Sequence, residues 1–171
     1  DRDAALLTLA NCITIASSAI DAGKPMWWEG PVGRGKGCEP WSIVGQESHS
    51  PQWNCALMVT FIHKYKLGFT YFDQGSAGGA SPKATALLCT PQLLPFLERH
   101  LGTLPLAAPS GKSLVGRDAT GNFNSAASAT YSKELNTRLA TAMIECIACI
   151  AGGNCDAQLM PPPSVADNPS S

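Results

Sequence analysis

The feature that most constrains this chain is an apolar helical pattern in residues 132–155 that finishes in three cysteines. Its apolar positions recur at steps of four, three, four and three: Leu135, Leu139, Ala142, Cys146 and Cys149. This spacing places them on one face of a helix, which Met143 and Ile150 widen. Ser132 can cap the start of the helix, and the Gly152–Gly153 pair can end it. We therefore predict a long helix that packs on the core through this face.

The spacing of Cys146 and Cys149 matches the C-x-x-C pattern of redox proteins. In those proteins the pattern lies at a helix N-terminus, where the thiol pKa is lowered. Here it falls in the last turns of the predicted helix, where the helix dipole opposes formation of a thiolate. No histidine lies nearby in the sequence to complete a metal site. The pattern therefore predicts two structural cysteines, with no metal and no cofactor.

The cysteine content indicates an oxidising compartment. The chain has seven cysteines and three histidines in 171 residues, and the histidines do not have zinc-finger spacing. We predict a secreted protein with three disulfides and one cysteine left over, and the first residue, Asp1, suits a processed secretory product. The sequence leaves the pairing open, although a link from Cys12 to the C-terminal cysteines is expected. The candidates are Cys12, Cys38, Cys55, Cys89, Cys146, Cys149 and Cys155.

The charge composition excludes several classes of partner. The net charge is −1 and charged residues make up 15% of the chain, against about 25% in typical proteins. Neither nucleic acid nor an anionic membrane surface would attract such a chain. No apolar run approaches the ~20 residues that a membrane span needs, so we expect no span. Length and composition predict one domain over residues 1–155, a proline- and serine-rich tail over 156–171, and a monomer.

The remaining segments predict a small α+β fold. Residues 4–20 have a second helical stripe, with Asp3 as cap and Gly23 as end, and a short helix fits Pro95 to Leu101. Residues 54–72 alternate as a strand and its return would, although a helix from Asn54 stays open because both faces are apolar. The expected architecture is a compact sandwich. Two or three helices pack on a small antiparallel sheet, stabilised by disulfides and joined by long loops.

A loop rich in glycine and tryptophan is predicted over residues 24–53. It lacks any periodicity and contains the cationic run GRGKG. Exposed tryptophans would form a contact patch for a protein or a sugar, whereas buried ones would fill the core beneath the loop. The binding residues predicted on this basis are Trp27, Trp28, Arg34, Lys36 and Trp41.

No coherent set of catalytic residues emerges from the sequence, so a binding role is favoured over an enzymatic one. A small hydrolase acting on polysaccharide stays an alternative, because two carboxylates can hydrolyse a glycosidic bond. Its candidates are Glu29, Glu39, Glu47 and Asp73. A structural assembly protein is a third alternative, since the chain is rich in alanine, serine and glycine.

The order of three segments resembles that of small secreted cysteine-containing proteins of fungi, the group that includes necrosis-inducing effectors and killer-toxin-like proteins. These segments are LANCITIASSAI with Cys12, QWNCALMVTF with Trp53 and Cys55, and LATAMIECIACIAGG with Cys146. The resemblance touches about half of the chain. It implies a compact α/β sandwich and a role as an effector or toxin outside the producing cell, directed at a protein or glycan on a target cell.

Overall fold

The computed structural model describes residues 2–32, 52–79, 83–102 and 131–153. Within them the protein is α+β, with four helices and a three-stranded antiparallel sheet, which confirms the predicted class. The elements are α1 (Arg2–Asp21), β1 (Trp27–Pro31), a 3-10 turn (Gln52–Asn54), α2 (Ala56–Tyr65), β2 (Gly68–Asp73), β3 (Ala84–Cys89), α3 (Leu94–Leu101) and α4 (Lys133–Gly152).

The sheet has the order β1-β3-β2, so the last strand in sequence lies in the middle. Both neighbours of β3 run antiparallel to it, and Leu88 lies opposite Trp28 on one side and Phe69 on the other. Every residue of β3 from Thr85 to Cys89 is buried. A strand that is buried on both faces needs a helix layer on each face, and the chain provides both.

The two faces of β3 belong to two different core clusters. Leu87 and Cys89 point into the first core cluster, where the buried faces of α3 and α4 meet the sheet. Ala86 and Leu88 point into the second core cluster, which contains buried residues of α2 and Trp53. Successive side chains of a strand alternate between its faces, and this alternation produces the two clusters.

Helix α4 has the start and the buried stripe that the sequence predicts. The Leu135 amide donates to Ser132 Oγ at 3.0 Å, and Ser132 has the extended backbone of an N-cap. Gly153 follows the helix with a φ of +67°, which favours glycine. All five stripe residues are buried, from Leu135 to Cys149. Ile150, expected to widen the stripe, is instead 40% exposed, because the helix rotates it away from the sheet.

Helix α1 has the predicted extent but a looser attachment than α4. Asp3 lies in its first turn rather than at its cap, and Gly23, with φ +71°, donates its amide to the Ile20 carbonyl at 2.8 Å. Residues 3–21 are all exposed or half-buried. The side chains of Leu9 and Ile13 are among those that pack on the second core cluster. Helix α1 therefore covers this cluster without being enclosed by it.

The strand predicted from residue 54 is wrong, and the alternative helix is correct. Residues 56–65 form α2, and only the predicted return strand, now β2, is extended. Met58 and Phe61 are buried three positions apart, whereas Leu57 is 46% exposed. A segment that is apolar at both its odd and its even positions is compatible with a strand or with a helix. Here the helix is formed because it covers the second face of the sheet. Cys55 therefore precedes a helix and not the strand that the alternation predicts.

The predicted loop over residues 24–53 contains an edge strand that the sequence did not reveal. Residues 27–31 pair with β3 along their whole length, and Val32 behind them is buried. Trp53 from the 3-10 turn packs over Gly30 and donates its indole N–H to the Pro31 carbonyl at 2.8 Å. A five-residue strand that ends in proline has too short a pattern to predict, and it is stable only because β3 is beside it.

We expect truncation of the α4 stripe to destabilise the fold. Leu139 is 4% exposed in the first core cluster, so Leu139→Ala should lower the free energy of unfolding by about 2–5 kcal/mol. The matched control is Ile144→Ala on the same helix, where the side chain is 66% exposed and the change should stay within about 0.5 kcal/mol. Urea unfolding followed by circular dichroism measures both. Equal losses in the two variants would contradict the assignment of the buried face.

Candidate functional site

Two of the predicted binding residues, Trp27 and Trp28, lie side by side on the edge strand β1. They point to opposite faces of the sheet, so Trp27 contacts the first core cluster and Trp28 the second. The Trp28 ring is tilted against Phe61, with centroids 6.5 Å apart. Both tryptophans are half-buried. Each tryptophan therefore fills part of the core and also contributes to an exposed patch, because one side of its ring contacts the core and the other side stays accessible.

One groove lies between α1 and α2, and another passes over the two tryptophans. This tryptophan groove has a volume of about 530 Å³. Its aromatic wall is formed by Trp27, Trp28 and Tyr131, and α1 contributes small and aliphatic side chains, among them Ile15 and Ala19. Glu29 is the one carboxylate among its described lining residues. The groove is thus an apolar, aromatic cleft with a single acidic group at its side.

Glu29 is held in place by a polar network at this end of the sheet. Lys83 Nζ lies 3.2 Å from Glu29 Oε1, and Gln74 Nε2 donates to the same oxygen at 3.1 Å. The Gln74 amide also donates to Thr85 Oγ1 at 3.0 Å, and its side chain is 4% exposed. A buried amide with both hydrogen bonds made fixes the position of β1 relative to the β2–β3 connection. The role of Glu29 supported by these contacts is structural.

Asp73, another carboxylate of the hydrolase hypothesis, stabilises a turn. It is buried at the end of β2, and its Oδ1 accepts from the amides of Gly75 at 2.7 Å and Lys83 at 3.4 Å. This is the turn geometry that aspartate favours, and it occupies the carboxylate with backbone donors. The other residues of the two hypotheses lie outside the described residues: Arg34, Lys36, Glu39, Trp41 and Glu47.

The described cysteines are distributed over both core clusters, and no disulfide joins any of the five. Cys146 and Cys149 of the C-x-x-C pattern are buried in the first core cluster, as a structural role predicts. Cys146 Sγ donates to the Gln92 carbonyl at 3.4 Å. Cys12 lies on α1 and lines the tryptophan groove. Helix α1 packs on the second core cluster, and the expected link from Cys12 to the C-terminal cysteines stays a prediction because Cys155 lies outside the described residues.

The thiol of Cys89 has a raised pKa. It is fully buried on β3, and its Sγ donates to the Gly68 carbonyl at 3.6 Å. Burial, with smaller contributions from the negative charges of Glu98 and Cys146, raises the pKa of the Cys89 thiol to about 12. Cys89 is therefore a protonated core residue at neutral pH. The two remaining disulfide candidates, Cys38 and Cys155, lie outside the described residues, and Cys55 is half-buried before α2.

Histidines and acids do not gather into a metal centre anywhere in the described ranges. His100 lies in the last turn of α3, and its Nε2 is 3.0 Å from Glu145 Oε2 on α4. Arg99 donates to the same carboxylate oxygen at 3.3 Å. His63, which was expected on a strand, is exposed on α2. These contacts tie helices together and do not enclose a ligand.

Tyr131 is the groove residue that sequence reasoning missed. It directly precedes the Ser132 cap and packs against the first core cluster while it lines the groove. A single aromatic residue before a helix carries no periodic signal, so only the tertiary structure brings it beside Trp27.

Among the described residues, two helices are long and apolar enough to cross a membrane by length and composition alone, and the expectation of no membrane span stays a prediction. Residues 3–21 have a mean hydropathy of 1.5 and none of them is buried. The corresponding window of α4 has a mean hydropathy of 1.2, and 28% of it is buried in the protein. The buried stripe explains the apolar character of α4, whereas α1 has no comparable explanation within the fold.

Comparison of the chain with models of known protein families, with curated proteins and with solved structures finds no match. The resemblance to secreted fungal effectors therefore stays a prediction, and the function has to be argued from the residues themselves.

The buried Cys89 thiol should make the reduced protein less stable at high pH. Its pKa of about 12 is higher than the ordinary value of 9.0, so the folded state binds the proton more tightly. This contribution to stability is complete below pH 9 and is lost as the pH rises from 9 towards 12, at up to about 1.4 kcal/mol per pH unit. Urea unfolding from pH 8 to pH 11 should show this loss.

The control for this titration is Cys89→Ala in the same reducing buffer. Other groups also titrate between pH 9 and 11, so the diagnostic quantity is the difference in pH dependence between the two proteins. Parallel stability curves over this range would contradict the assignment of a buried, protonated thiol.

Proposed function

We propose that this protein is a secreted, non-enzymatic binding protein, of effector or toxin-like type, that contacts its partner through the tryptophan groove. The observation that carries the proposal is the pair Trp27 and Trp28, half-exposed on an edge strand and joined by Tyr131 around a cleft of about 530 Å³. Aromatic rings that are anchored on one side and accessible on the other are typical of binding hot spots.

The groove chemistry favours a partner with apolar side chains. Its volume lies within the ~300–1,000 Å³ range of ligand sites in general. The single carboxylate is already paired with Lys83, so a charged ligand would gain little there. Rigid indole rings provide a large contact area at a small cost in side-chain entropy. We favour a protein segment that places apolar side chains in the groove, and a glycan that stacks on the rings is the competing outcome of the test.

Among the described residues, nothing favours the hydrolase alternative. Glu29 accepts hydrogen bonds from Lys83 and Gln74, and Asp73 accepts from backbone amides. These contacts give both carboxylates a structural role that requires no catalytic function.

The groove should lose its ligand when both indoles are removed. Displayed random peptides and a glycan array provide the probes, and the best ligand of either kind is titrated against the protein. We expect Trp27→Ala with Trp28→Ala to weaken its binding by at least about thirtyfold, the loss typical of a hot spot. The measurement is biolayer interferometry, with circular dichroism to confirm the fold of the variant.

The matched control is Tyr71→Ala. Tyr71 is an aromatic residue on the opposite edge strand, β2, and is 44% exposed. The Tyr71→Ala variant should bind the ligand with the same affinity as the unaltered protein. A ligand that responds to Tyr71→Ala and ignores the double tryptophan variant would contradict the proposal, as would the absence of any peptide or glycan ligand.

We further propose that the secreted form is stabilised by disulfides, and that Cys89 and Cys146 are the best-placed described pair. Both are fully buried in the first core cluster, and Cys146 lies close enough to raise the pKa of the Cys89 thiol. A bond between them would connect the central strand to α4. It would close a loop of more than fifty residues, which corresponds to about 4 kcal/mol in the chain-entropy account.

Reduction should therefore lower the thermal stability of protein produced in an oxidising compartment. We expect the melting temperature to fall by roughly 10 °C for each such bond that is broken. Differential scanning calorimetry with and without a phosphine reductant measures the change, and peptide mapping identifies the linked cysteines. Cys55→Ala is the control, since Cys55 lies in the other cluster. An unchanged melting temperature with every cysteine alkylatable would contradict both the disulfides and the secreted location.

A further inference from the structure

Helix α1 has a composition that the fold does not require. Between Asp3 and Asp21 it carries no acidic or basic side chain, and its mean hydropathy over this range is 1.5. Its solvent side includes Leu7, which is 64% exposed, and Ile15, which is 71% exposed. Soluble proteins normally place charged residues on the outer face of a surface helix. A helix that is uncharged all round is typical of a segment buried on every side.

The polar side chains of α1 are largely satisfied within the helix itself. The hydroxyl groups of Thr8, Thr14 and Ser18 each donate to the carbonyl four residues earlier, at 2.9 to 3.0 Å. These bonds do not depend on water, so the hydroxyls can enter an apolar medium at a small cost. The outer face of α1 is thus less polar than its sequence of threonines and serines indicates.

The attachment of α1 to the rest of the protein is weak. None of its described residues is buried, and its contacts with the second core cluster come from four half-buried side chains: Leu9, Ile13, Ala16 and Ile20. A hydrogen bond of 3.2 Å from Tyr65 to Asp21 ties its end to α2. A segment held by so few contacts is expected to detach from the core at a low cost in free energy.

The length of α1 and the residues behind it fit a lipid bilayer. Twenty helical residues span about 30 Å, which is the thickness of the hydrocarbon core. Lys24, Trp27 and Trp28 follow the helix end within seven residues, and lysine and tryptophan are the side chains that anchor helices at the membrane interface. A helix that lies flat on a membrane needs a cationic face, which α1 lacks.

We propose that α1 is a membrane-inserting helix, which leaves the second core cluster and crosses a lipid bilayer while the remaining described elements stay outside. Beside the binding role of the groove, this gives the protein a second activity on target membranes. The chemistry recognised is the hydrocarbon interior itself and not a lipid headgroup, because the residues between Asp3 and Asp21 carry no charge and the two aspartates at the ends would not attract an anionic headgroup. Binding should accordingly need no anionic lipid.

The test uses the full chain with vesicles of zwitterionic phosphatidylcholine. We expect the protein to float with the vesicles in a density gradient, equally in 0.1 M and 1 M salt. Asn11 is exposed near the centre of α1, and Asn11→Asp keeps its shape while it adds one charge. A charge at the centre of a spanning helix should lower the partition coefficient by about a hundredfold.

The matched control is Asn136→Asp, the same isosteric change at an exposed position of α4, the other apolar helix. It should partition as the unaltered protein does. Hydrogen exchange in the presence of vesicles adds a readout by element: the amides of α1 should become protected, whereas those of α4 should exchange as they do in solution.

Three results would overturn the proposal: no flotation with these vesicles, equal partitioning of Asn11→Asp and the unaltered protein, or protection of α4 in place of α1. Because α1 contributes Ile15 and Ala19 to the groove, groove binding is measured without vesicles and vesicle binding without the groove ligand, and Asn11 itself does not line the groove. Loss of vesicle binding with retained groove ligand, or the reverse, therefore distinguishes the two proposals.

Discussion

The structure depends on the burial of β3 on both faces. Five consecutive residues of this strand are buried, and each face requires its own apolar cover. Helices α3 and α4 cover one face, and α2 with part of α1 covers the other. Because β3 lies between two edge strands, it also determines the position of β1 and hence of Trp27 and Trp28. The candidate groove is therefore a consequence of the central strand.

The polar groups near the groove have positions that follow from this arrangement. Thr85 is fully buried on β3, and its hydroxyl donates to the Lys83 carbonyl at 3.0 Å and accepts from Gln74. Gln74 donates to it and to Glu29, so a single amide connects β3, the turn after β2 and the edge strand. Such a network fixes Glu29, the residue that follows Trp28 on β1, relative to the central strand.

The elements predicted correctly from the sequence are those whose stability is local. Helix α4 has a cap and a glycine end that act locally, and its stripe is a pattern that can be read from the sequence although its burial depends on the sheet and α3. Helix α2 and strand β1 depend instead on surfaces supplied by distant residues, so the run after Cys55 and the tryptophan segment were assigned to the wrong structures. Trp27 and Trp28 were identified by residue type alone. Tyr131 joins them only through tertiary contacts, which no local pattern encodes.

Helices α1 and α4 show that similar composition can have different physical causes. Both have twenty residues and are apolar enough to span a bilayer. In α4 five positions on one face are buried, so the protein core accounts for its apolar residues. In α1 the inner face is half-buried and the outer face is exposed and uncharged, although solvation would favour charges there. Since the folded core does not require this outer face, its composition points to an environment other than water, and the bilayer is the one that matches its length and its missing charge.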